Sequence, residues 1–416
     1  MLEVKQAQAR ILDELSPLPV EHVSLHQALG RILAEDIVSP LDLPPFPNSS
    51  MDGYAVQAAD VAAASAKTPI LLHVVADIAA GHVADIQLGT GQAARIMTGA
   101  PLPSGADAVI PVEKTDDKLS FTGADMPALV GILQGTTFGA YVRFAGEDVH
   151  SGEQVLAAQT LISPAIVGVL AALGVAAVPV FRRPRIAILG TGDEIVDVDE
   201  PLGPGQIRNV NGYTLAALVK QYGAEPIILG VARDSVAAVT ERLNTAIAEN
   251  ADLILTSAGV SMGATDVVRL VLEQDGNLQF WRVNMRPGKP MAFGQYGSIP
   301  LLGLPGNPVS SIVTCEVFAR PAILKLAGNA TTGHPEIRVR IQEAIQSDGR
   351  ETYFRAIVEY DSASATYTAR SAGGQGSHML RVLSHANALV IIPADVREVE
   401  AGRELAAWLL GDISIN

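Results

Sequence analysis

Cysteine is almost absent from this chain, since its 416 residues include only Cys315. One cysteine cannot form an intramolecular disulfide, and it excludes the Cys-rich zinc and iron–sulfur sites. The eight histidines show no spacing typical of metal ligands. We therefore expect a reduced, cytoplasmic protein with no thiolate-bound metal.

Positive charge is also scarce. The chain has 29 Lys and Arg against 44 Asp and Glu, which gives a net charge of -15 and a pI near 4.9. Duplex binding requires a basic face that neutralises phosphates, so this balance argues against a nucleic-acid partner. An acidic protein can still bind a small anion, but it must concentrate its few cations and backbone amides at one place.

No hydrophobic run is long enough to predict a membrane span. The most apolar stretch, residues 163–180, is shorter than the ~20 residues that a spanning helix needs and is interrupted by Gly168 and Gly174. We predict a buried helix followed by a strand there, and no membrane partner. Residues 1–15 have the pattern of an amphipathic helix rather than that of a signal peptide.

Two nucleotide-binding motifs are missing as well. No GxGxxG follows a predicted strand, and no GxxxxGK[ST] is present, which weakens dehydrogenase and triphosphatase interpretations. Short apolar runs instead alternate with helical segments between residues 182 and 326. Because these runs are apolar throughout, they predict a parallel sheet covered on both faces, a doubly wound α/β fold. In such sheets ligands bind beyond the carboxyl ends of the strands.

The flanking regions have a different pattern, and a chain of this length is expected to form two to four domains at ~150 residues each. Residues 42–148 are strand-like and rich in Gly and Pro, which indicates a β-rich inserted lobe. Residues 327–416 contain short alternating strands with turn signals, typical of a small β-barrel. We predict a multi-domain α/β plus β protein with four domains: 1–41 with 149–181 as an elongated linking domain, 42–148, 182–326 and 327–416.

Three glycine-rich turns follow strands of the predicted α/β domain. Small residues there let backbone N–H groups converge on one point, as in phosphate and oxyanion sites at helix N-termini. Glycine turns occur in every α/β fold, so one alone is weak. The three turns are Gly190-Thr191-Gly192 with Glu194 behind it, Ser257 to Gly263 in the sequence SAGVSMG, and Leu304-Pro305-Gly306-Asn307, where Asn307 is a predicted helix N-cap with Pro308 behind it.

Two cations and three acids complete this predicted crevice. Arg286 and Lys289 flank a Pro-Gly turn, and an Arg fork with a Lys point charge suits an oxyanion; the alternative is a basic surface turn. Glu194, Asp234 and Asp266 should face the same crevice, where carboxylates commonly hold Mg²⁺ together with waters and phosphate. Asp234 or Asp266 can equally be only a helix N-cap.

Several segments, in this order, resemble the molybdopterin molybdenumtransferases, the family that includes MoeA and the enzymatic domain of gephyrin. They are PPFPNSSMDGYAV, RIMTGAPLPSGADAVIPVE, GED, LGTGDE, TSAGVSMGATD, RPGKPMAFG, GLPGNPVSS and GQGSH. The resemblance implies insertion of molybdenum from molybdate, the substrate oxyanion, into adenylyl-molybdopterin, with release of AMP and help from Mg²⁺. It also implies a homodimer whose pocket joins two subunits, and as a partner the molybdopterin adenylyltransferase that supplies the substrate.

The resemblance assigns roles residue by residue. Asp52 is expected to act on Mg²⁺ or on an oxygen released as the dithiolate takes the metal, and Asp148 matches a further acid of the family. The expected catalytic residues are Asp52, Thr98, Glu194 and Asp234. The expected metal ligands are Asp52, Asp234 and Asp266. The expected substrate-binding residues are Gly190, Thr191, Gly192, Ser257, Gly259, Ser261, Gly263, Asp266, Arg286, Lys289, Pro305, Gly306, Asn307, Arg355 and Ser377.

The sequence departs from the family pattern at two positions. Val210 stands where relatives commonly carry Ser or Thr, and Ala258 replaces the first glycine of SGGVS, which puts contacts in the pterin pocket in doubt. Alternatives remain open: a tungsten-inserting homologue, a non-catalytic scaffold like gephyrin, or a generic nucleotide-sugar or phosphate-ester enzyme on the same α/β fold. The last of these would leave the MDGYA segment unexplained.

Overall fold

The structure is a computed structural model that describes residues 1–117, 126–258, 267–275, 279–411 and 413–415. Within it the chain divides into two compact units. The first comprises Met1–Glu35, Gln159–Pro164 and Ala177–Asn416, and the second comprises Asp36–Ala158 and Ala165–Ala176. The four domain boundaries predicted from the sequence stay a prediction.

The helices of the described residues lie mostly in the first unit. A π-helix, Cys315–Ala319, joins α7 to α8. The α-helices are α1 Val4–Asp13, α2 Ala58–Val61, α3 Pro164–Ala172, α4 Val210–Gln221, α5 Val236–Ala248, α6 Val267–Asp275, α7 Pro308–Thr314, α8 Arg320–Leu326 and α9 Leu380–His385.

Strands make up most of the remaining regular structure. Those up to residue 181 are β1 Val20–Ser24, β2 Ile37–Val38, β3 Asn48–Ser49, β4 Gly53–Val56, β5 Ile70–Ile78, β6 Gln92–Ile96, β7 Ala108–Pro111, β8 Leu129–Ile132, β9 Val142–Arg143, β10 Gln154–Leu156 and β11 Ala177–Phe181. Those of the α/β region are β12 Arg185–Thr191, β13 Ile195–Val196, β14 Ile207–Arg208, β15 Glu225–Ala232, β16 Leu253–Ser257, β17 Gln279–Arg282, β18 Met285–Arg286, β19 Pro290–Tyr296 and β20 Ile299–Leu304. The last are β21 Glu336–Ile341, β22 Ile345–Gln346, β23 Glu351–Asp361, β24 Thr366–Ser371, β25 Ala388–Ile392, β26 Glu398–Val399, β27 Glu404–Leu409 and β28 Ser414–Ile415.

A six-stranded sheet in the order β15-β12-β16-β20-β19-β17 forms the centre of the first unit. Alternate residues of β12 face two separate cores. Ile186 and Ile188 pack with α1, α4, α7 and α8, while Ala187 and Leu189 pack with α5 and α6. Burial on both faces explains why these strands are apolar throughout. The predicted doubly wound α/β fold is confirmed.

The sheet is parallel only over β15, β12, β16 and β20. The strands β19 and β17 run antiparallel to their neighbours, and they lie outside the apolar runs from which the parallel sheet was predicted. The physical reason is a two-residue connection between β19 and β20, Gly297-Ser298, where Gly297 has φ +58°. A two-residue loop can only reverse the chain into a hairpin, whereas a parallel neighbour needs a long crossover.

Residues after 335 form a closed five-stranded barrel in the order β23-β24-β21-β27-β25, with β25 pairing back to β23. Its interior holds small and branched apolar side chains such as Val339, Ala356 and Val390. Closure leaves no unpaired sheet edge within the ring. The predicted C-terminal β-barrel is confirmed, and β18 adds to it by pairing with the first residues of β23.

The second unit is built on a five-stranded sheet in the order β7-β4-β6-β5-β8. One face buries Tyr54, Val56 and Ile110, and the other buries Ala55, Ile96 and Val109. Two further antiparallel pairs, β3 with β9 and β2 with β10, belong to the same unit. The expectation of a β-rich N-terminal region is confirmed.

The apolar stretch at residues 163–180 forms α3 and β11, as predicted. The expected burial of the helix was wrong, because Leu170 is the only buried residue of α3 although the helix sequence PAIVGVLAA contains no polar side chain. Among the described residues, no helix combines the length and the apolar character that crossing a membrane would need.

Candidate functional site

In the second unit, the loop between β3 and β4 presents Asp52 at the surface. Its Oδ1 accepts two hydrogen bonds from Thr98, one from the backbone nitrogen at 2.7 Å and one from Oγ1 at 2.8 Å. The structure therefore brings together Asp52 of the MDGYA segment and Thr98 of the MTGAP segment, which were both predicted as site residues. Only Oδ1 is used in these bonds, so Oδ2 has no partner within the described part of the chain.

Buried polar contacts hold this loop in place. Ser49 is fully buried and its Oγ donates to the Met51 carbonyl at 2.5 Å, while the Gly99 nitrogen donates to the Ser49 carbonyl at 2.8 Å. Gly99 has φ +81°, a conformation that favours glycine. These contacts fix the loop conformation, so the Asp52–Thr98 pair is preorganised.

Gly53, the residue after Asp52, has no room for a side chain. A Cβ atom there would lie 2.0 Å from the Ile110 carbonyl oxygen of β7. We expect Gly53→Ala to destabilise the protein by about 1–3 kcal/mol or more, because the pairing of β4 with β7 must shift. Thermal unfolding measures this, with Gly168→Ala as the control, since a Cβ at Gly168 meets nothing within 4 Å. Equal melting temperatures for Gly53→Ala and the wild type would contradict it.

In the first unit, several predicted residues lie together at the carboxyl ends of the parallel strands, which we call the candidate-site edge of the sheet. Gly190 pairs with Ser257, and Ser257 pairs with Leu304, directly before Pro305. The antiparallel β19 begins at this same edge, which places Lys289 there too, exposed and without an ion pair in the described structure. The loops predicted from sequence therefore do share one sheet edge.

Carboxylates follow β12 and β15 at this edge. Asp193 Oδ1 accepts from the Asp234 backbone nitrogen at 3.2 Å, and both residues line an open groove of about 540 Å³ with Arg233 and Ser235. The Glu194 carboxylate folds over Gly192, where a Cβ would lie 2.5 Å from its Oε2. The N-cap of α5 is Ser235, whose side chain accepts from Ala238, so Asp234 is not the cap.

The loop of Pro305, Gly306 and Asn307 is fastened to α4. Asn211 Nδ2 donates to the Gly306 carbonyl at 2.8 Å, while Asn211 Oδ1 is buried without a hydrogen-bond partner. Asn307 occupies the predicted N-cap position of α7 with Pro308 behind it, but its side chain makes no capping bond. Val210 opens α4, whose cap is Asn209.

Ala258, one of the two departures from the family pattern, has φ +78°. This left-handed conformation costs a residue with a Cβ roughly 1 kcal/mol relative to glycine. We expect Ala258→Gly to stabilise the protein by up to about 1 kcal/mol, seen as a small rise in the denaturant midpoint at constant slope. A lower midpoint would show that the Ala258 methyl, whose Cβ lies 3.3 Å from where a Cβ on Gly306 would be, contributes more than the strain.

A third group of predicted residues lies where the barrel meets the Pro-Gly turn. Arg286 pairs through its backbone with Thr352, three residues before Arg355 on β23. Arg355 is only 1 % exposed, faces no carboxylate in an ion pair of the described structure, and leaves its Nε without a partner. Burial and the nearby Arg286 lower the pKa of Arg355 to about 10, so it remains a cation at neutral pH.

The glycine loop before α9 closes over this arginine. Arg355 Nη2 donates to the carbonyls of Gly374 and Gly376 at 3.4 Å each. The backbone nitrogen of Arg355 donates to Gln375 Oε1 at 3.0 Å. The Ser377 carbonyl accepts from the Val309 nitrogen of α7 at 3.2 Å. The loop that closes over Arg355 is thus joined through Ser377 to the start of α7.

Gly288, between the two cations of the turn, is required by sterics. It has φ +105°, and a Cβ would lie 2.3 Å from Thr314 Cγ2 of α7. Arg286 forms a 3.7 Å ion pair with Asp348, and hydrogen bonds from Arg350 lower the pKa of that carboxyl. Arg286 is therefore partly neutralised, whereas Arg355 and Lys289 are not.

Gly259, Ser261, Gly263 and Asp266 lie outside the described residues. Asp148 is exposed, and its backbone nitrogen donates to Leu43 at 2.9 Å. Sequence reasoning missed Asp193, Asn211 and Asp348. Asp193 stood in the quoted LGTGDE segment, whereas nothing local distinguishes Asn211 or Asp348.

The carboxylates of the groove fit a magnesium ion of the usual kind. Mg²⁺ commonly takes one or two protein carboxylates and keeps most of its waters. The described residues contain no cluster of three or more His, Cys, Asp or Glu side chains that would enclose a metal. Asp193 and Asp234 at an open groove match a partly hydrated ion and not a closed site.

Comparison with known proteins covers nearly the whole chain. Residues 2–174 match the MoeA N-terminal region (domain I and II), residues 187–325 match the probable molybdopterin binding domain, and residues 338–410 match the MoeA C-terminal region (domain IV). The fold and the site therefore define a MoeA-type multidomain protein of molybdenum cofactor biosynthesis.

Individual relatives agree. The chain is 41% identical over 396 residues to molybdopterin molybdenumtransferase 2 of Mycobacterium tuberculosis, covering 93% of this chain and 94% of that one. It is 42% identical over 392 residues to the molybdopterin molybdenumtransferase of Nostoc sp., covering 92% and 87%. The crystal structure of the molybdopterin biosynthesis moeA protein from Pyrococcus horikoshii OT3 superposes with a TM-score of 0.81 at 31% identity, covering 98% and 100%. The chain belongs to the molybdopterin molybdenumtransferase family and is a transferase.

Proposed function

We propose that this protein inserts molybdenum from molybdate into adenylyl-molybdopterin and releases AMP, with Mg²⁺ as cofactor. The observation that carries the proposal is Arg355, a buried guanidinium that forms no ion pair with a described carboxylate and leaves its Nε without a partner among the described residues. A buried charge without a counterion costs free energy, and a bound anion would remove that cost. Molybdate, a tetrahedral dianion, is the substrate that supplies this charge.

The surroundings of Arg355 suit an oxyanion. Arg286 is close enough to disfavour the charge of Arg355, so two cations repel each other until an anion lies between them. Lys289 stands at the neighbouring sheet edge, and Ser377 belongs to the loop that closes over Arg355. We assign these four side chains to molybdate binding.

We assign the groove of Asp193 and Asp234 to Mg²⁺ and to the adenylyl phosphate. A bound Mg²⁺ would neutralise phosphate charge when the phosphoanhydride breaks. The side chains of this chain place the cation and orient the phosphate. The backbone amides of the strand-end turns donate to phosphate oxygens.

Asp52 is the proposed catalytic group, positioned by Thr98. With Oδ1 held by two hydrogen bonds, Oδ2 is left to accept a proton or to contact Mg²⁺. We also propose a homodimer in which Asp52 of one subunit completes the pocket of the other. The helix α3 supports this assembly, because five of its nine apolar residues are exposed and a second copy would remove this surface from water.

The enzyme reaction is tested by incubating the purified protein with adenylyl-molybdopterin, Mg²⁺ and either molybdate or tungstate. AMP release and metal insertion with molybdate are expected, and both should stop when the divalent cation is chelated. Faster insertion with tungstate would make the protein a tungsten-inserting homologue. No AMP release with either oxyanion would overturn the proposal in favour of a non-catalytic scaffold.

The shared pocket has its own test. Asp52→Asn and Arg355→Met subunits, each inactive alone, are mixed under conditions that exchange subunits. A pocket built from two subunits predicts about a quarter of wild-type activity, since half of the dimers are mixed and each has one intact site. Activity that stays at the level of the single variants would show that both residues act within one subunit. We propose further that a molybdopterin adenylyltransferase in the cytoplasm supplies the substrate.

A further inference from the structure

A cavity lies at the amino-terminal ends of the parallel strands of the α/β sheet, at the opposite end from the candidate site. Its volume is about 680 Å³, and its lining includes Pro184 before β12 and Gly223 before β15, together with α8 and the loop after it. The seven-residue strand β12 separates this edge from Thr191 by about 20 Å. A ligand in the cavity is therefore distinct from any ligand at the candidate site.

Four arginines line this cavity in a chain that is short of cations. Two of them are neutralised: Arg31 by Glu21, and Arg182 by Asp252 through bonds of 3.1 and 2.5 Å. Arg183 is exposed and forms no ion pair in the described part of the chain. Arg320 is half-buried and likewise without a carboxylate there. The cavity therefore presents two uncompensated guanidinium groups.

Arg320 is held in a fixed position. Its Nη1 donates to the Thr332 carbonyl at 3.1 Å, and its guanidinium lies 5.9 Å from the centre of the Tyr222 ring. These contacts use one donor of the fork and leave the others available. An ordered arginine with free donors loses little entropy on binding an anion.

Buried polar groups form the wall beside Arg320. The Tyr222 hydroxyl is buried and makes no hydrogen bond within the described residues, and burial raises the pKa of Tyr222, so the hydroxyl keeps its proton. The one carboxylate in the wall, Glu316, opposes an anion. Its Oε2 lies 3.2 Å from Nε2 of His334, so protonation of that ring would offset the negative charge.

The remaining lining is apolar. Phe181, Leu324 and Leu410 face the cavity along with the Tyr222 ring. A cavity of this size matches small-molecule sites, which combine apolar walls with a few polar groups that fix orientation. A single inorganic ion would leave most of this space and all of the apolar wall unused.

We propose that this cavity binds a phosphate monoester of mononucleotide size, with the phosphate on Arg183 and Arg320 and the organic part against Phe181 and Tyr222. The site does not depend on the proposed reaction, since none of these residues belongs to the candidate site. Guanidinium forks suit phosphate oxygens, and aromatic faces suit a planar base.

The test uses the full chain with AMP, inorganic phosphate and adenosine as probes. Arginine-selective modification by phenylglyoxal, followed by peptide mapping, reports each arginine separately, so binding at the candidate site cannot be mistaken for binding here. We expect AMP to slow modification of Arg183 and Arg320 severalfold, inorganic phosphate to do so only at higher concentration, and adenosine to have no effect. Unchanged modification rates at saturating AMP, or equal protection by adenosine, would overturn the proposal.

Variants supply the second measurement. Arg183→Glu, on an exposed side chain, should weaken AMP binding at this site about tenfold or more without changing the melting temperature. Arg320→Lys should weaken it less than Arg320→Gln, because the charge remains. The matched control is Arg242→Gln with Arg338→Gln, two exposed arginines outside the cavity. An equal loss of AMP affinity in this control would show that the effect of Arg183→Glu comes from net charge alone, which would contradict a specific site in the cavity.

Discussion

Arg355→Met is expected to abolish oxyanion binding while leaving the unliganded protein at least as stable as the wild type. Methionine fills a similar volume without a charge, and the buried guanidinium has no counterion in the part of the chain that the structure describes. Removing an uncompensated buried charge relieves a desolvation cost, so stability and binding should change in opposite directions. A structural arginine would behave differently, because its loss would lower both.

The binding loss should be large. Truncating one partner of a buried, hydrogen-bonded charge pair costs about 2–5 kcal/mol, which is at least about 30-fold in affinity. Molybdate at 100 times its Kd should stabilise the wild type by about 2.7 kcal/mol, and it should not stabilise the variant. Thermal unfolding with and without molybdate measures both effects in one experiment.

The matched control for this prediction is Arg338→Met, which removes an exposed arginine from β21 of the same barrel. It should keep the molybdate-dependent rise in melting temperature. A variant at Arg355 that still gains stability from molybdate, as the wild type does, would remove Arg355 from the site. Tungstate serves as a second oxyanion of the same charge.

Asp52→Asn is expected to lower the rate of molybdenum insertion by about 10²–10⁴-fold, the range for loss of a positioned proton-transfer group. The substitution is nearly isosteric. The amide oxygen can still accept both bonds from Thr98, while the free carboxylate oxygen becomes an NH₂ group. The loop should therefore keep its shape, and the melting temperature should stay close to that of the wild type.

Asp116→Asn is the control for Asp52→Asn. Asp116 is also an exposed carboxylate of the second unit, and its Oδ1 accepts from the Gly131 nitrogen at 2.7 Å. It should lose little activity. Normal AMP release and normal metal insertion by Asp52→Asn would withdraw the catalytic role. Normal AMP release without insertion would place Asp52 in the metal-transfer step alone.

Much of the fold and part of the candidate site followed from local patterns. Apolar runs that alternate with helical segments between residues 182 and 326 predicted the α/β sheet, because strands buried on both faces must be apolar throughout. The glycine turns were expected to lie together because the carboxyl ends of parallel strands meet at the same end of a sheet. Asp52 and Thr98 came from segments that resemble a known family, since their local sequence indicates only turns.

Other features could not follow from local patterns, because they arise from contacts between residues far apart in the chain. Burial of Arg355 depends on the loop at residues 374–377 closing over β23, and the alternation of a strand does not tell an enclosed arginine from an exposed one. The apolar composition of α3 predicted a buried helix, yet the fold places no covering surface on most of it. Composition states which surface is costly to expose, and only tertiary packing decides what covers it.

The sequence by itself determined the family, the α/β and barrel architecture, and the scarcity of cations that made Arg286 and Lys289 candidates. It did so because periodicity and motif order are local properties of the chain. The tertiary structure decided which cations lack ion pairs among the described residues, that Asp193 stands beside Asp234, and that an arginine-lined cavity lies at the opposite end of the parallel strands from the candidate site. The physical reason is that pairing and desolvation of a charge depend on neighbours in space, and these neighbours come from distant parts of the chain.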